Sequence, residues 1–255
     1  MTTSSPVLVG HRGAAALDPE NTLRSFRCGV AEGAALLECD VHLSADGQVV
    51  IIHDATLDRT AQADSPLRTG AVADLTRAQL DRVLVGEDEH IPTLAQVLEA
   101  AVREDGTRVP LLVEIKAPAA AERVLEILGG TFGGGDAAAW SDPAHAPACV
   151  LSFHEEPLRL AQRVAPWIPR MRTTTATSPE WWDSCRALKV AHAGVRIADA
   201  RQADVEHAAE LGVALNLWTA RTEEELERAL ELGCDTLTVD DPVWAAALMA
   251  RHALV

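Results

Sequence analysis

Residues 214–242 read ALNLWTARTEEELERALELGCDTLTVDDP, and this stretch decides the fold class. It opens with the apolar run Ala214–Trp218 and closes with a second apolar run, Thr236–Val239. Between the two runs, Thr222 and Glu225 have the spacing of a capping box, in which a hydroxyl and a carboxylate satisfy free backbone donors at the start of a helix. A strand, a helix and a second strand in this order predict two parallel strands joined by a crossover helix.

The same alternation of short apolar runs with helical segments extends along the chain. Eight runs are predicted to be strands: Val7–Gly10, Leu36–Leu43, Leu111–Ile115, Cys149–Ser152, Arg170–Thr173, Ala193–Arg196, Ala214–Trp218 and Thr236–Val239. Eight strands, each followed by a helix or a helix-sized segment, predict an α/β fold, the closed (β/α)₈ TIM barrel. An open doubly wound sheet is the main alternative, but it favours about six strands and a glycine-rich G-x-G-x-x-G first turn. The first turn here, residues 10–13, reads GHRG and lacks that pattern.

One segment departs from the alternation. The apolar run Gln48–His53 follows the second strand after only the short turn SADG at residues 44–47. A parallel crossover needs about a dozen residues or more, so this turn predicts an antiparallel β-hairpin extending from the second barrel strand. Folding the chain about Asp46 pairs position 39 with position 53, to within two residues. The hairpin is therefore expected to return His53 beside Glu38 and Asp40.

Composition bounds the class of protein. The 255 residues carry a formal net charge of −16, which argues against a nucleic-acid partner, because phosphate contacts demand a basic face. The five cysteines show no C-x-x-C spacing, which favours buried thiols in a reducing compartment over disulfides or zinc. With no signal-peptide pattern and no apolar run long enough for a membrane span, we expect one domain over residues 1–255, cytoplasmic and without stable membrane association. A glycine- and alanine-rich stretch, residues 129–147, is expected to be a surface loop.

Polar side chains cluster where the predicted strands end, which is where TIM barrels carry their chemistry. Glu38 and Asp40 lie two apart on one strand and so share a face, and Glu114 and Lys116 repeat that spacing. Three carboxylates without a thiolate favour a hard divalent cation, Mg²⁺, Ca²⁺ or Mn²⁺. The alternative is that the carboxylates form structural ion pairs with Arg12 and Lys116.

Two histidines lie near this cluster. His11 follows the first strand and His53 ends the hairpin, and imidazole is the side chain best suited to proton transfer near neutral pH. The pair therefore suggests a general acid and a general base on either side of one reacting bond. Arg12 and Lys116 would supply positive charge for a phosphate.

In the identity and order of these residues, the chain resembles the glycerophosphodiester phosphodiesterase family. The motifs that carry the resemblance occur in order along nearly the whole chain: His11-Arg12-Gly13, Pro19-Glu20-Asn21-Thr22, Glu38-Cys39-Asp40-Val41, His53-Asp54-x-Thr56-Leu57-x-Arg59-Thr60, Ile91-Pro92-Thr93-Leu94, Glu114-Ile115-Lys116, Ser152-Phe153, Trp218-Thr219 and Asp240-Asp241-Pro242. The resemblance implies a TIM-barrel hydrolase that uses one divalent cation, commonly Mg²⁺ or Ca²⁺, to release glycerol 3-phosphate and an alcohol from a small-molecule glycerophosphodiester.

The resemblance also implies roles for individual residues. The implied set comprises the acid–base pair His11 and His53, the metal ligands Glu38, Asp40 and Glu114, the phosphate contacts Arg12 and Lys116, and Glu20 and Asn21 as braces of the first loop. Trp218 lies at a strand end that faces the barrel mouth, so it is a candidate substrate contact on the glycerol side, with packing in the core as the alternative. The family pattern is not followed in the segment 61–89, at His154, or at residues 219–221, which read TAR where valine and asparagine usually follow the threonine. These departures leave the alcohol open, as the sequence does the oligomeric state.

Other functions are compatible with a barrel of this kind. A related phosphodiesterase such as a lysophospholipase D would need an apolar groove for an acyl chain, and the sequence shows no apolar lid. A catalytically silent barrel that binds a phosphorylated ligand would be expected to lose a histidine or a carboxylate, and none is lost. A metal-dependent sugar isomerase does not fit the ordered motifs.

Overall fold

The computed structural model describes residues 5–86, 88–133 and 146–252, and the strands and helices below lie within them. In chain order the strands are β1 (Val7–Gly10), β2 (Leu36–Leu43), β3 (Val49–Ile51), β4 (Leu84–Gly86), β5 (Glu89–His90), β6 (Leu111–Ile115), β7 (Ala148–Ser152), β8 (Arg170–Thr174), β9 (His192–Arg196), β10 (Ala214–Ala220) and β11 (Thr236–Val239). The α-helices are α1 (Leu23–Ala31), α2 (Arg77–Leu80), α3 (Leu94–Ala100), α4 (Ala121–Phe132), α5 (Glu155–Val164), α6 (Pro179–Leu188), α7 (Gln202–Leu211), α8 (Glu223–Leu232) and α9 (Pro242–His252).

Eight of the described strands form a closed parallel barrel. Around it the strands follow their order in the chain, β1, β2, β6, β7, β8, β9, β10 and β11, and β1 pairs with both β2 and β11. The capping box predicted at Thr222 is present, with the Glu225 N–H donating to the Thr222 hydroxyl at 3.2 Å and the Thr222 N–H donating to the Glu225 carboxylate at 3.2 Å. The predicted TIM barrel is therefore confirmed.

The two faces of β2 explain why charged residues point into the barrel. Leu37, Cys39 and Val41 are fully buried in the core between the barrel and its helices. Burying each large aliphatic side chain contributes roughly 1.5–3 kcal/mol, so this face determines the register. Because side chains alternate along a strand, Glu38 and Asp40 must then face the barrel interior.

The predicted hairpin is present and has the predicted register. β3 pairs antiparallel with β2 through Val41 and Ile51, which is the same register as position 39 with position 53. Residues 44–93, called the insert below, have a second small core that includes Val50 and Ile52, whereas Ile51 packs into the main core. The side chains on the two faces of β3 therefore pack into two different cores, which fixes the position of the chain just before His53.

The structure differs from the sequence predictions at several boundaries. β10 continues to Ala220, and the short antiparallel pair β4 and β5 in the insert was not predicted. Residues 129–132 belong to α4, so the predicted loop over 129–147 is wrong there, while residues 134–145 of that prediction lie outside the described residues. Among the described helices, none combines the length and the apolar character needed to cross a bilayer.

Candidate active site

A cavity of about 160 Å³ opens where the barrel strands end. This is the face on which TIM-barrel enzymes carry their active sites. The charged and titratable side chains that line it are His11, Arg12, Glu38, His53, Glu114 and Lys116. Leu112, Leu151 and Met171 add apolar lining from the barrel interior. A molecule bound here would therefore meet both charged and apolar groups.

Three carboxylates converge at this cavity because of the pairing between β2 and β6. The parallel register places Asp40 beside Glu114, and Glu38 precedes Asp40 on the same face. One oxygen from each of Glu38, Asp40 and Glu114 lies within 4.8 Å of the other two. The Asp40 side chain is only 1% exposed, so the cluster is largely shielded from water.

The carboxylates differ in how readily they ionise. Burial, followed by repulsion from Asp40 and Glu114, raises the pKa of Glu38 well above its usual range. Burial and repulsion from Asp40 raise the pKa of Glu114 to about 7. Burial also opposes ionisation of Asp40, but attraction to Lys116 and Arg12 outweighs it and lowers the pKa of Asp40. When all three carboxylates are ionised, their negative charge exceeds the positive charge of Arg12 and Lys116, which is why Glu38 and Glu114 favour the protonated form in the protein alone.

The groups that face this cluster leave one buried oxygen, on Glu38, without a hydrogen-bond partner among the described residues. The Lys116 Nζ lies 2.9 Å from a Glu114 oxygen and 3.5 Å from an Asp40 oxygen, and the Arg12 Nε lies 3.2 Å from the other Asp40 oxygen. The Glu38 Oε2 accepts from the backbone N–H of Arg12 at 3.0 Å, but Oε1 is buried and accepts no hydrogen bond from the described residues. The ion-pair alternative thus accounts for only part of the cluster. An all-oxygen donor set with excess negative charge and a free buried oxygen fits a hard divalent cation.

A strained loop presents Arg12 to the cavity. Arg12 has a φ of 50° and Gly13 a φ of 93°, a left-handed conformation that is unfavourable for a residue such as arginine. The Ser25 hydroxyl donates to the Arg12 carbonyl at 2.9 Å and accepts from the Ala14 N–H at 2.9 Å. A Cβ on Gly13 would meet the Ser25 backbone at 2.5 Å, so α1 can pack this closely only against glycine.

His11 contacts Asp240, which directly follows the last barrel strand, β11. Its Nδ1 lies 2.5 Å from the Asp240 Oδ1, and the other oxygen of Asp240 accepts from the Arg221 Nε at 2.6 Å. With Nδ1 bound to a carboxylate, Nε2 is the ring atom free for other partners, and it lies 4.0 Å from the Glu38 Oε2. Burial opposes ionisation of Asp240, but the hydrogen bond with His11 and the Arg221 contact lower its pKa, so this carboxylate stays ionised.

His53 has the same kind of support on the other side of the site. Its Nδ1 lies 2.6 Å from the Asp54 Oδ1, and the Asp54 Oδ2 accepts from the Arg59 Nε at 2.6 Å. The hydrogen bond from Arg59 is the main reason that the pKa of Asp54 falls to about 2. Burial lowers the pKa of His53. The half-buried His42 adds a contact through its Nε2, which lies 3.1 Å from the His53 carbonyl oxygen.

Glu20 and Asn21 lie behind the cavity-lining residues. Glu20 accepts from the Arg12 Nη1 at 2.8 Å, and Asn21 donates through Nδ2 to the Asp40 Oδ2 at 2.8 Å. The Asp40 N–H in turn donates to the Asn21 Oδ1 at 3.3 Å. Glu20 therefore supports Arg12, which lines the cavity, and Asn21 supports the Asp40 carboxylate of the cluster. Neither Glu20 nor Asn21 is among the charged residues that line the cavity.

An aromatic pair also lines the cavity. Phe153 and Trp218 contact edge to face, with ring centroids 5.6 Å apart, and both line the cavity. The Lys116 Nζ lies 5.8 Å from the Phe153 ring centroid. Phe153 is 38% exposed, which leaves an apolar surface open beside the charged groups.

The residues singled out from the sequence lie together in the structure. Seven of them line the cavity, namely His11, Arg12, Glu38, His53, Glu114, Lys116 and Trp218, and Asp40, Glu20 and Asn21 contact this set directly. Their chemical roles remain predictions. Sequence reasoning quoted Asp54, Arg59 and Asp240 as motif residues without giving them a role.

His42 was given no role from the sequence, and Arg221 was noted only as a departure from the family pattern. The signal for Asp54 was available, because it directly follows His53. The contacts of Arg221 and Asp240 needed the closed barrel.

Comparisons with known proteins agree with the geometry. A model of the glycerophosphoryl diester phosphodiesterase family matches residues 11–243. A glycerophosphodiester phosphodiesterase from Caldanaerobacter subterraneus subsp. tengcongensis is 27% identical over 248 residues, which cover 92% of this chain and 94% of that protein. A probable glycerophosphodiester phosphodiesterase 1 from Mycobacterium tuberculosis is 31% identical, with 89% and 86% covered.

A solved structure shares the fold. An Oleispira antarctica phosphodiesterase in complex with the product sn-glycerol-3-phosphate superposes with a TM-score of 0.83 at 24% identity, over 96% of this chain and 97% of that one. The barrel, its charged cavity and the family match together define a hydrolase that acts on phosphodiesters. The chain belongs to the glycerophosphoryl diester phosphodiesterase family.

Proposed function

We propose that the protein hydrolyses small-molecule glycerophosphodiesters to glycerol 3-phosphate and an alcohol, with a divalent cation and with His11 and His53 as acid and base. The observation that carries the proposal is the placement of the two histidines. Each has Nδ1 on a carboxylate, and both line one cavity with Glu38, which has a buried oxygen free. The bound product in the Oleispira antarctica phosphodiesterase supports glycerol 3-phosphate as the product here.

Glu38, Asp40 and Glu114 would hold the cation, which we propose is Mg²⁺ or Ca²⁺, with Mn²⁺ as a third candidate. When bound, such a cation offsets the negative charge that develops on the phosphoryl oxygens. Asn21 keeps the Asp40 carboxylate in place through its 2.8 Å hydrogen bond. The acidic cluster supports the presence of a metal, and the choice of ion is left to the experiment below.

The two histidines would move the protons. One imidazole takes the proton of the glycerol hydroxyl next to the phosphate at Nε2, while that oxygen attacks phosphorus. The bond from phosphorus to the alcohol breaks, and the other imidazole gives its Nε2 proton to the leaving oxygen. Water then attacks the cyclic phosphate and the two transfers run in reverse. Asp240 and Asp54 support both steps, because each holds the Nδ1 of its histidine and leaves Nε2 to carry the transferred proton.

Arg12, Lys116 and Trp218 would contact the substrate. The Arg12 guanidinium and the Lys116 ammonium line the cavity and can pair with phosphate oxygens, Arg12 as a fork and Lys116 as a point charge. Trp218, together with Phe153, offers an apolar wall for the carbon atoms of the substrate. Glu20 orients Arg12 from behind.

The chain-wide distribution of these groups supports one catalytic domain. His11 and Asp240 lie at the two ends of the barrel sequence and contact each other. We therefore propose that residues 1–255 act as a single domain on a small molecule in the cytoplasm, without a nucleic-acid partner, in keeping with the net charge of −16.

A substrate panel tests the proposal. Purified protein is assayed with glycerophosphocholine, glycerophosphoethanolamine, glycerophosphoinositol and lysophosphatidylcholine, with Mg²⁺, Ca²⁺, Mn²⁺ or excess chelator, and glycerol 3-phosphate is measured. We expect turnover of at least one glycerophosphodiester that stops in chelator and returns with added cation. Equal indifference to every substrate and every metal would refute the proposal. Lysophosphatidylcholine would yield choline and lysophosphatidic acid rather than glycerol 3-phosphate, so released choline is measured in parallel. Faster release of choline from lysophosphatidylcholine than from glycerophosphocholine would instead support the lysophospholipase D alternative.

Two kinds of variant separate the proposed roles. Asp40→Asn keeps the side-chain shape but removes a charge that the cation needs, so cation affinity and turnover should fall together. His11→Ala and His53→Ala should keep cation affinity and lose roughly 10²–10⁴-fold in kcat, the usual contribution of positioned acid–base groups. His207→Ala, on the exposed face of α7, is the control. A histidine variant that loses the cation would identify that histidine as a ligand.

A further inference from the structure

Arg59 joins two parts of the site that are far apart in the chain. Its Nη1 and Nη2 donate to the two oxygens of Glu20 at 2.9 and 2.7 Å, a fork-to-fork pair. Its Nε donates to the Asp54 Oδ2 at 2.6 Å, and Nη2 also reaches the Asp54 Oδ1 at 3.3 Å. Glu20 belongs to the loop after β1, whereas Asp54 and Arg59 belong to the insert. One planar guanidinium therefore fixes the position of one segment relative to the other.

Each carboxylate bound by Arg59 also binds a residue of the cavity. The Asp54 Oδ1 lies 2.6 Å from the His53 Nδ1. On the other side, the Glu20 Oε1 accepts from the Arg12 Nη1 at 2.8 Å. The result is a continuous line of ionic contacts from His53 to Arg12, with Arg59 at its centre.

The chemistry of this line requires an arginine at position 59. A surface ion pair of a single carboxylate and a single cation contributes little to stability, because water screens it and the side chains lose entropy. Arg59 is 48% exposed, so stability is not its main contribution. A guanidinium can bind two carboxylates with a defined angle between them, whereas a lysine ammonium is a point charge without directional forks. What Arg59 supplies is orientation.

We propose that Arg59 is a positioning residue for the phosphodiesterase reaction, which orients His53 through Asp54 and Arg12 through Glu20. The inference rests on the proposed function, because it assigns Arg59 to the acid–base role of His53 and the phosphate contact of Arg12. It predicts two separable effects. Misorientation of His53 lowers kcat, and misorientation of Arg12 weakens ground-state binding of the phosphate and raises KM.

The experiment compares Arg59→Ala, Arg59→Lys and a matched control, Arg68→Ala. Arg68 is an exposed arginine of the same insert whose Nη1 donates to the Ala63 carbonyl at 2.8 Å and lies outside the ionic line. Steady-state rates are measured with the glycerophosphodiester and cation that give the fastest turnover in the panel above. Cation affinity by calorimetry and the unfolding midpoint are measured for each variant. Arg59→Ala is also made in the His53→Ala background.

We expect Arg59→Ala to lose about 10–100-fold in kcat, in the range of a small misplacement of a reacting group, and to raise KM several-fold. Arg59→Lys should recover little, because one ammonium cannot bridge two carboxylates. In the His53→Ala background the kcat loss should disappear while the rise in KM remains. Cation affinity should stay at the wild-type value, since Arg59 contacts none of the three clustered carboxylates in the described structure.

Three results would overturn the inference. These are rates for Arg59→Ala equal to those of Arg68→Ala, full recovery by lysine, or the same kcat loss with and without His53. They are distinguishable from failure of the proposed function itself. In that case the wild type hydrolyses no member of the panel, or His53→Ala keeps full activity.

Discussion

Cation binding should weaken steeply as the pH falls from about 8 to about 6. The reason is the pKa of Glu114, which burial and then repulsion from Asp40 raise to about 7. A cation binds the ionised carboxylate, so a proton competes with it. With a pKa of about 7, Glu114 is roughly nine-tenths ionised at pH 8 and one-tenth at pH 6. Cation affinity therefore falls about tenfold from this residue alone.

Glu38 and Asp40 determine whether the cation affinity changes further with pH. The pKa of Glu38 is also raised, by burial first, so its protonation adds to the loss of affinity on the acidic side. The pKa of Asp40 is lowered, because attraction to Lys116 and Arg12 outweighs burial, so Asp40 stays ionised over this range and contributes no pH dependence. The total effect should thus be at least about tenfold, with weaker binding at lower pH.

Isothermal titration calorimetry with Mn²⁺ and Ca²⁺ at three pH values between about 6 and 8 measures this effect. Two buffers with different ionisation enthalpies give the number of protons released on binding. We expect about one proton or more to be released near pH 6 and fewer protons near pH 8. Glu114→Gln is the control: it should bind more weakly but with a shallower pH dependence. Equal affinity at pH 6 and 8 without proton release would refute the account of the acidic cluster.

Three further outcomes follow from named contacts. Lys116→Ala should lower kcat/KM by about 10–100-fold, the size of a charge-assisted contact, because the Lys116 Nζ lies in the cavity 2.9 Å from Glu114. The control Lys189→Ala, at the exposed end of α6, should match the wild type in steady-state assays. Equal rates for the two variants would remove Lys116 from the site. Gly13→Ala should lower the free energy of unfolding in urea by at least about 2 kcal/mol, because the new Cβ would lie 2.5 Å from the Ser25 backbone. Gly47→Ala, with open space around it, should lower it by about 1 kcal/mol. Similar losses for the two variants would contradict the packing argument. Asp240→Asn should lower kcat but keep cation affinity, because it weakens the contacts of this side chain with His11 and Arg221. Asp199→Asn on the protein surface is the control. A wild-type rate for Asp240→Asn would show that His11 does not depend on this carboxylate.

The elements that depend on local pattern could be predicted from the sequence. The barrel strands were found because their outward faces must be apolar to pack against helices, as Leu37 and Val41 do. The hairpin register followed from the length of the turn at residues 44–47, since a short turn leaves few ways to pair the flanking residues. That register and the strand ends together were enough to predict which charged residues share the cavity.

The contacts that depend on long-range closure could not be predicted. Asp240 meets His11 across 229 residues of sequence, and only the pairing of β1 with β11 brings them together. The position of Arg59 between Asp54 and Glu20 depends on the path of the insert and on several side-chain torsions, which no periodicity reports. The contact of the His42 ring with the His53 carbonyl likewise depends on a side-chain torsion that the sequence does not report.

The contact between His11 and Asp240 has a consequence for how the enzyme comes into being. It spans the seam at which the first and last barrel strands pair, and a polypeptide emerging from the ribosome makes β1 long before β11. An unfinished chain can already contain the carboxylate cluster and both histidines, but it has neither the seam nor the carboxylate that orients His11. In the proposed mechanism, which uses His11, catalytic competence therefore requires completion of the barrel, and hydrolytic activity is expected only after the ring has closed.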